Sequence, residues 1–337
     1  MKLVLPAAGI ALLVTLALGP LVIPLLRTLK FGQRVRSDGP RRHLQKAGTP
    51  TMGGVMFLAG STAAVAAVLW LVRGTPAAAG AGDGLAVLLV TLGFGLVGFL
   101  DDFIKIAFRR PLGLRAREKL LGQVLVSVAL AVVAVFVLDR GTAIMLPFSG
   151  FLVPGGLSLD PGWWGFLAFT VLVLLGTANA VNLTDGLDGL ASGATVIAAL
   201  AFALIALAAE KTWVAVVLGA MAGGCMGFLY YNRYPARVFM GDTGSLALGG
   251  GLAAAAVLTR SELFLLFIGG VFVLETLSVI LQVISYQLTG RRVFRMAPLH
   301  HHFELSGWTE VRVVVTFWVL GAALALAGLA GMYRLGA

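Results

Sequence analysis

Ten times along this chain, apolar residues continue for long enough to cross a lipid bilayer, and nothing else constrains the fold as much. The runs are Leu3–Leu26, Gly53–Val72, Gly84–Leu100, Leu120–Leu138, Trp163–Val181, Leu190–Ala209, Thr212–Tyr231, Thr243–Leu258, Leu263–Leu288 and Val313–Tyr333. About 20 apolar residues in a helix span the ~30 Å of hydrocarbon in a membrane. In lipid every backbone N–H and C=O must find a partner within the protein, which leaves only helices and closed barrels. Barrel strands alternate apolar and polar residues, whereas these runs are continuous, so a barrel is excluded. Composition agrees: of 337 residues 59% are hydrophobic and 12% charged, against about 25% charged in soluble chains. The expectation is an all-α polytopic integral membrane protein of about ten transmembrane helices, one domain over residues 1–337. Leu3–Leu26 is too long for the core of a signal peptide and reads as a retained first span. The single cysteine, Cys225, lies inside an apolar run and reads as a buried, inert thiol.

Lys and Arg orient the bundle. Numbering the connections alternately puts 19 of the 25 on one side, from Arg27 to Lys46, Lys105 to Lys119, Arg233 to Arg237, and Arg291 to Arg312. Positive residues mark the cytoplasmic side, so this side faces the cytoplasm and both termini face outward, into the periplasm. The net charge of +10 is therefore an orientation signal, and no nucleic-acid partner is expected. The cytoplasmic side also collects Asp101, Asp102, Asn179, Asn182, Asp185, Asp188, Asn232, Asp242 and His300–His302. Chemistry at the inner surface explains that asymmetry. The opposite connections are short or Gly/Pro-rich, and Pro147–Gly162 reads as a short hairpin.

Five stretches carry most of the polar groups. In Asn179–Gly193, NAVNLTDGLDGLASG, an i, i+3 pair of Asp185 and Asp188 would share one helical face and suit a hard cation. A polar turn between helices, with one Asp as an N-cap, is the plain alternative. Asp101 and Asp102 close the third span in GFLDDFIKIAF; adjacent carboxylates repel unless a cation is near, and Lys105 stands one turn on. Asp242, in RVFMGDTGSLALGG, opens the eighth span as an ordinary cap or as part of an anion- and metal-binding helix terminus. In RMAPLHHHFE three consecutive histidines point different ways on any backbone, so a three-His metal site is not expected. Ser37–Gly54, SDGPRRHLQKAGTPTMGG, brings His43, Lys46 and a Gly-rich helix entry that could approach a phosphate. Glu275 falls in the middle of its run, where an ionisable group faces the bundle interior, either paired or protonated.

Together these strings resemble the phospho-N-acetylmuramoyl-pentapeptide transferases, a branch of the polyprenyl-phosphate N-acetylhexosamine-1-phosphate transferases. The DD and FMGD elements are shared across that superfamily, whereas GTPTMGG and PLHHHFE are specific to the branch. The resemblance implies a homodimeric enzyme of the bacterial inner membrane. It would move phospho-MurNAc-pentapeptide from UDP-MurNAc-pentapeptide to undecaprenyl phosphate, with Mg²⁺, giving lipid I and UMP. In that frame Asp242, Asp102 and Asp185 are expected to hold Mg²⁺ and Asp101 to deprotonate the lipid phosphate. Asn182, Asp188, Asn232 and Phe239 are expected at the uridine, with Lys119, Lys46, Asn179, His300, His301 and His302 toward the diphosphate and sugar. A transporter is the rival class, but its acids would gather at the midplane instead of one face.

Overall fold

The computed structural model describes residues 1–29, 48–108, 113–151 and 156–333. Ten long helices stand where the ten apolar runs were read: α1 (Val4–Thr28), α2 (Gly54–Val72), α3 (Ala81–Ala107), α4 (Ala116–Phe136), α5 (Gly162–Thr184), α6 (Leu190–Ala208), α7 (Thr212–Asn232), α8 (Gly241–Leu258), then α10 (Gly270–Thr289) and α12 (Glu310–Ala330). The short α9 (Leu265–Ile268) and α11 (Leu299–Leu305) lie between the last of these. Among the described residues nine helices are long and apolar enough to cross a membrane; α8 is the other long helix.

Burial sorts the bundle into centre and rim. In α8 every residue from Thr243 to Leu258 is buried, and α6 and α7 are nearly as enclosed. Their Gly- and Ala-rich sequences let backbones approach closely, which is how membrane helices associate where lipid is as apolar as the side chains. Helices α1, α4 and α10 bury one face and leave large apolar residues such as Leu13, Leu125 and Leu281 exposed, as a lipid-facing rim must.

Two expectations change. The run Leu263–Leu288 is not one helix: a 3₁₀ turn (Glu262–Phe264) and α9 precede a break at Gly269, and only then does α10 begin. Gly270 packs on Leu324, while Gly321 packs on Val271, so α12 runs antiparallel to α10. Glu275 is thereby level with about Phe317, close to the middle of α12, and it is buried and paired with His300, as expected of an acid within a span. The hairpin exists, but it pairs β1 (Ile144–Met145) with β2 (Ser158–Leu159), antiparallel, so one strand starts before Pro147.

The end of the bundle expected to carry little chemistry holds a buried ion pair. Arg140 bonds Glu262 through its NH2 group, donates to Val257 O at 2.8 Å, and lies over the Phe166 ring. Burial pushes the Glu262 carboxyl up to about 7, against the pull of the guanidinium. This pair ties the α4–α5 connection to the end of α8.

Candidate active site

At the opposite end, α3, α4, α5 and α8 converge on three carboxylates. Oxygens of Asp101, Asp102 and Asp242 lie within 4.8 Å of one another. Helix α3 does not end at the acids, as the sequence reading had it, but continues to Ala107, so both project from a well-formed helix. Their approach to Asp242 depends on Gly98, one turn earlier. A Cβ there would stand 2.1 Å from the Asp242 carbonyl oxygen, so only glycine lets α3 meet the start of α8 this closely.

Asp242 is not the cap of α8. It sits in the first turn, and the helix N-terminus is satisfied from another helix. Asp102 Oδ2 accepts from Thr243 N at 2.9 Å and from Thr243 Oγ1 at 2.8 Å. A carboxylate at that position meets both unpaired N–H groups and the positive end of the helix dipole. The Asp242 carboxylate is left to face the cluster. Its Oδ2 accepts from Lys105 Nζ at 2.9 Å and Lys119 Nζ at 2.8 Å, and its Oδ1 from Asn182 Nδ2 at 2.8 Å. Lys105 also reaches Asp101 Oδ2 at 2.5 Å, while Asp101 Oδ1 accepts from Leu114 N at 2.9 Å. Lys105, left out of the expected site, was signalled by its i, i+4 spacing from Asp101.

Three carboxylates against two ammonium groups leave the cluster one negative charge in excess. Hard oxygen donors at this separation fit Mg²⁺, which takes carboxylate ligands alongside water and phosphate oxygens. Asp185 is not part of this group. Residues 185 to 189 form the turn between α5 and α6, so Asp185 and Asp188 do not share a helical face. The polar turn of the alternative reading is realised, but the N-cap of α6 is Gly189, so neither Asp caps that helix.

The remaining expected residues divide in two. Asp188 and Asn232 brace the turn: Asp188 Oδ2 accepts from Ala236 N at 2.9 Å, and Asn232 Oδ1 from Gly189 N at 3.1 Å and Ser192 Oγ at 3.0 Å. Glu310 of α12, with no signal in the sequence, accepts from Asp188 N at 2.8 Å. Phe239 is half-buried, its backbone locked to the 50–54 segment by Phe239 N to Pro50 O and Gly53 N to Phe239 O, both 2.8 Å. With Gly54 N bonded to Met240 O, that Gly-rich entry spends its N–H groups on protein, not on a phosphate. Asn179 donates to Gln123 Oε1 at 2.9 Å and bridges α5 to α4, one helical turn from Asn182 and Lys119. The histidines do point different ways: His300 is buried, His301 pairs with Glu304 Oε2 at 3.0 Å, and His302 Nδ1 accepts from Arg295 N at 3.1 Å. Lys46 and His43 lie outside the described residues.

The geometry can be set beside known proteins. The model of glycosyl transferase family 4 matches residues 84–260, which hold all three carboxylates, Lys105 and Lys119. The first phospho-N-acetylmuramoyl-pentapeptide-transferase signature matches residues 46–58, which include the 50–54 segment bonded to Phe239. A phospho-N-acetylmuramoyl-pentapeptide-transferase of Desulforudis audaxviator is 72% identical over 99% of both chains. Those of Pelotomaculum thermopropionicum and Moorella thermoacetica are 65% and 54% identical, over 98% and 95% of this chain and 98% and 96% of theirs. With its apolar helices, acidic cluster and signature segment all falling where these relatives align end to end, the chain belongs to the phospho-N-acetylmuramoyl-pentapeptide-transferase family.

Proposed function

We propose that this chain transfers phospho-MurNAc-pentapeptide from UDP-MurNAc-pentapeptide to undecaprenyl phosphate, forming lipid I and releasing UMP. The observation that carries the reading is the cluster of Asp101, Asp102 and Asp242 with Lys105 and Lys119 at one end of a membrane bundle. One substrate arrives through the membrane and the other from water, and both bring phosphates to that end. By the distribution of Lys and Arg it is the cytoplasmic face of the inner membrane.

Asp242 and Asp102 would hold Mg²⁺. When bound, the ion would offset negative charge on the diphosphate of the donor. The protein's own part is positioning. Lys105 and Lys119, now on Asp242 Oδ2, are long enough to turn to diphosphate oxygens and offset charge as the bond to UMP breaks. Asp101 takes the last proton of the lipid phosphate, whose second pKa of about 6 makes this easy. A lipid-phosphate oxygen then bonds to the β-phosphorus, the bond to the α-phosphate oxygen breaks, and UMP leaves. Asp188 and Asn232 shape the turn and the 236–239 segment, whose Phe239 would face the uridine, and His301 and His302 present the α11 edge to the sugar phosphate. Homodimerisation, implied by the family likeness, belongs to the same proposal.

The test is UMP release from UDP-MurNAc-pentapeptide by the purified protein in detergent, which scores an enzyme and is blind to transport. Release should require both undecaprenyl phosphate and Mg²⁺. No release with both present refutes the proposal. Exchange of labelled UMP into donor without lipid would instead require a covalent intermediate.

A further inference from the structure

A carboxylate and an imidazole meet in the interior without touching the carboxylate cluster. Glu275, on α10, is fully buried, and its Oε1 lies 3.2 Å from Nδ1 of His300, at the start of α11 and 1% exposed. Among the described residues, Glu275 Oε2 and His300 Nε2 have no hydrogen-bond partner. They sit beside an apolar cluster that includes Leu187, Leu190, Val271, Val313 and Phe317. A buried polar pair that leaves two atoms unsatisfied is a poor source of stability, and an apolar pair of the same size would do better. Geometry supplies the reason for it.

The Nδ1–Oε1 hydrogen bond fixes the ring plane and turns Nε2 away from Glu275. The ring edge then rests on the α5–α6 turn: a Cβ on Gly186 would stand 2.2 Å from Nε2 and 2.8 Å from Cε1. This turn follows the last residues of α5, whose Asn182 holds Asp242 Oδ1 at 2.8 Å. From its far side Glu310 and Asn232 grip the same turn through Asp188 N and Gly189 N. His300 is a further support of this turn, and it rests in turn on the buried Glu275.

We propose that Glu275 is a positioning residue for the transfer. By holding His300 Nδ1 it sets α11 against Gly186, keeping the Asp185–Gly189 turn, and through Asn182 the Asp242 carboxylate, in place. The inference rests on the proposed transfer for its kinetic readout, but not for its structural one.

The experiment compares Glu275→Ala, Glu275→Gln, His300→Ala and the double variant Glu275→Ala/His300→Ala in detergent. Glu275→Ala should lower kcat at least about tenfold, the scale on which small misplacements act. The KM for UDP-MurNAc-pentapeptide should change less than about threefold, because no substrate contact is lost. Glu275→Gln, whose Oε1 still accepts from Nδ1, should recover turnover to within about threefold of the unsubstituted protein, which a charge-dependent role would not allow. The double variant should be no slower than His300→Ala, because the two act as one unit. Amide hydrogen exchange should rise in peptides covering 183–190 and 299–306 for Glu275→Ala and stay unchanged for Glu275→Gln. Normal turnover in Glu275→Ala, failure of Gln to rescue, or additive losses would each overturn the proposal. If the unsubstituted protein shows no transfer, the functional reading has failed, and exchange alone decides: an unchanged pattern in Glu275→Ala refutes the inference. Should Glu275→Ala not fold, Gly186→Ala perturbs the contact from the other side and must give the same loss of kcat.

Discussion

Replacing Asp242 with Asn tests the site most directly, because three donors converge on this one carboxylate. Lys105 and Lys119 donate to Oδ2 at 2.9 and 2.8 Å, and Asn182 donates to Oδ1 at 2.8 Å. A carboxamide has one acceptor oxygen and an NH₂ group. With its oxygen toward the lysines, its NH₂ confronts the NH₂ of Asn182; flipped, it confronts two ammonium groups. The first arrangement wins, since Asn182 also donates to Ser245 Oγ at 2.8 Å. The fold therefore loses about one charge-assisted bond, ~1.5–3 kcal/mol, and the protein should still fold. Catalysis suffers more. The cluster goes from three carboxylates against two lysines to two against two, losing its excess negative charge together with a proposed metal ligand. Removing one preorganised electrostatic group is worth ~2.7–4 kcal/mol, or about 100- to 1,000-fold in kcat. The assay is UMP release at saturating substrates over a Mg²⁺ titration, with a melting curve in the same detergent. A folded variant within about tenfold of normal kcat at saturating Mg²⁺ would refute the assignment, because so small a loss leaves no room for a lost metal ligand.

Other outcomes follow from the same contacts. Gly98→Ala should lower both melting temperature and turnover, since its methyl group must push α3 off α8 and part Asp102 from Asp242; a variant with normal turnover counts against that close approach. Asn232→Ala leaves Gly189 N and Ser192 Oγ without their buried acceptor, so stability should drop by about 1–3 kcal/mol and the KM for the UDP substrate should rise. A shifted Mg²⁺ requirement at unchanged KM would speak against that role. Arg140→Met strands the buried Glu262 carboxylate at the opposite end of the bundle, lowering the melting temperature while leaving the kcat of surviving protein unchanged; a lost kcat would mean the two ends are coupled. Chelation with EDTA should abolish turnover and added Mg²⁺ should restore it, as monitored by UMP release.

Periodicity and composition alone determined that this chain is a bundle of membrane helices, because a bilayer admits few other backbones and an unbroken apolar run is readable without knowing its neighbours. Charge asymmetry and local strings brought Asp101, Asp102, Lys119 and Asp242 onto one page, since polar residues at the ends of apolar runs stand out. What pairs with what was not legible. The sequence distance from Asp102 to Thr243, or from Asn182 to Asp242, is bridged only when α3, α5 and α8 pack, and packing depends on a buried small residue such as Gly98, which looks like any other glycine in an apolar run. The break at Gly269 was equally silent, because hydrophobic runs report burial and not the hydrogen bonds of each turn. Glu275 was legible as an interior acid that is paired or protonated, but its partner was not: only the folded chain sets His300 beside it. Three-dimensional proximity made the difference: a side chain's chemistry is set by the atoms within a few ångströms of it, and along this chain those atoms come from helices far apart in sequence.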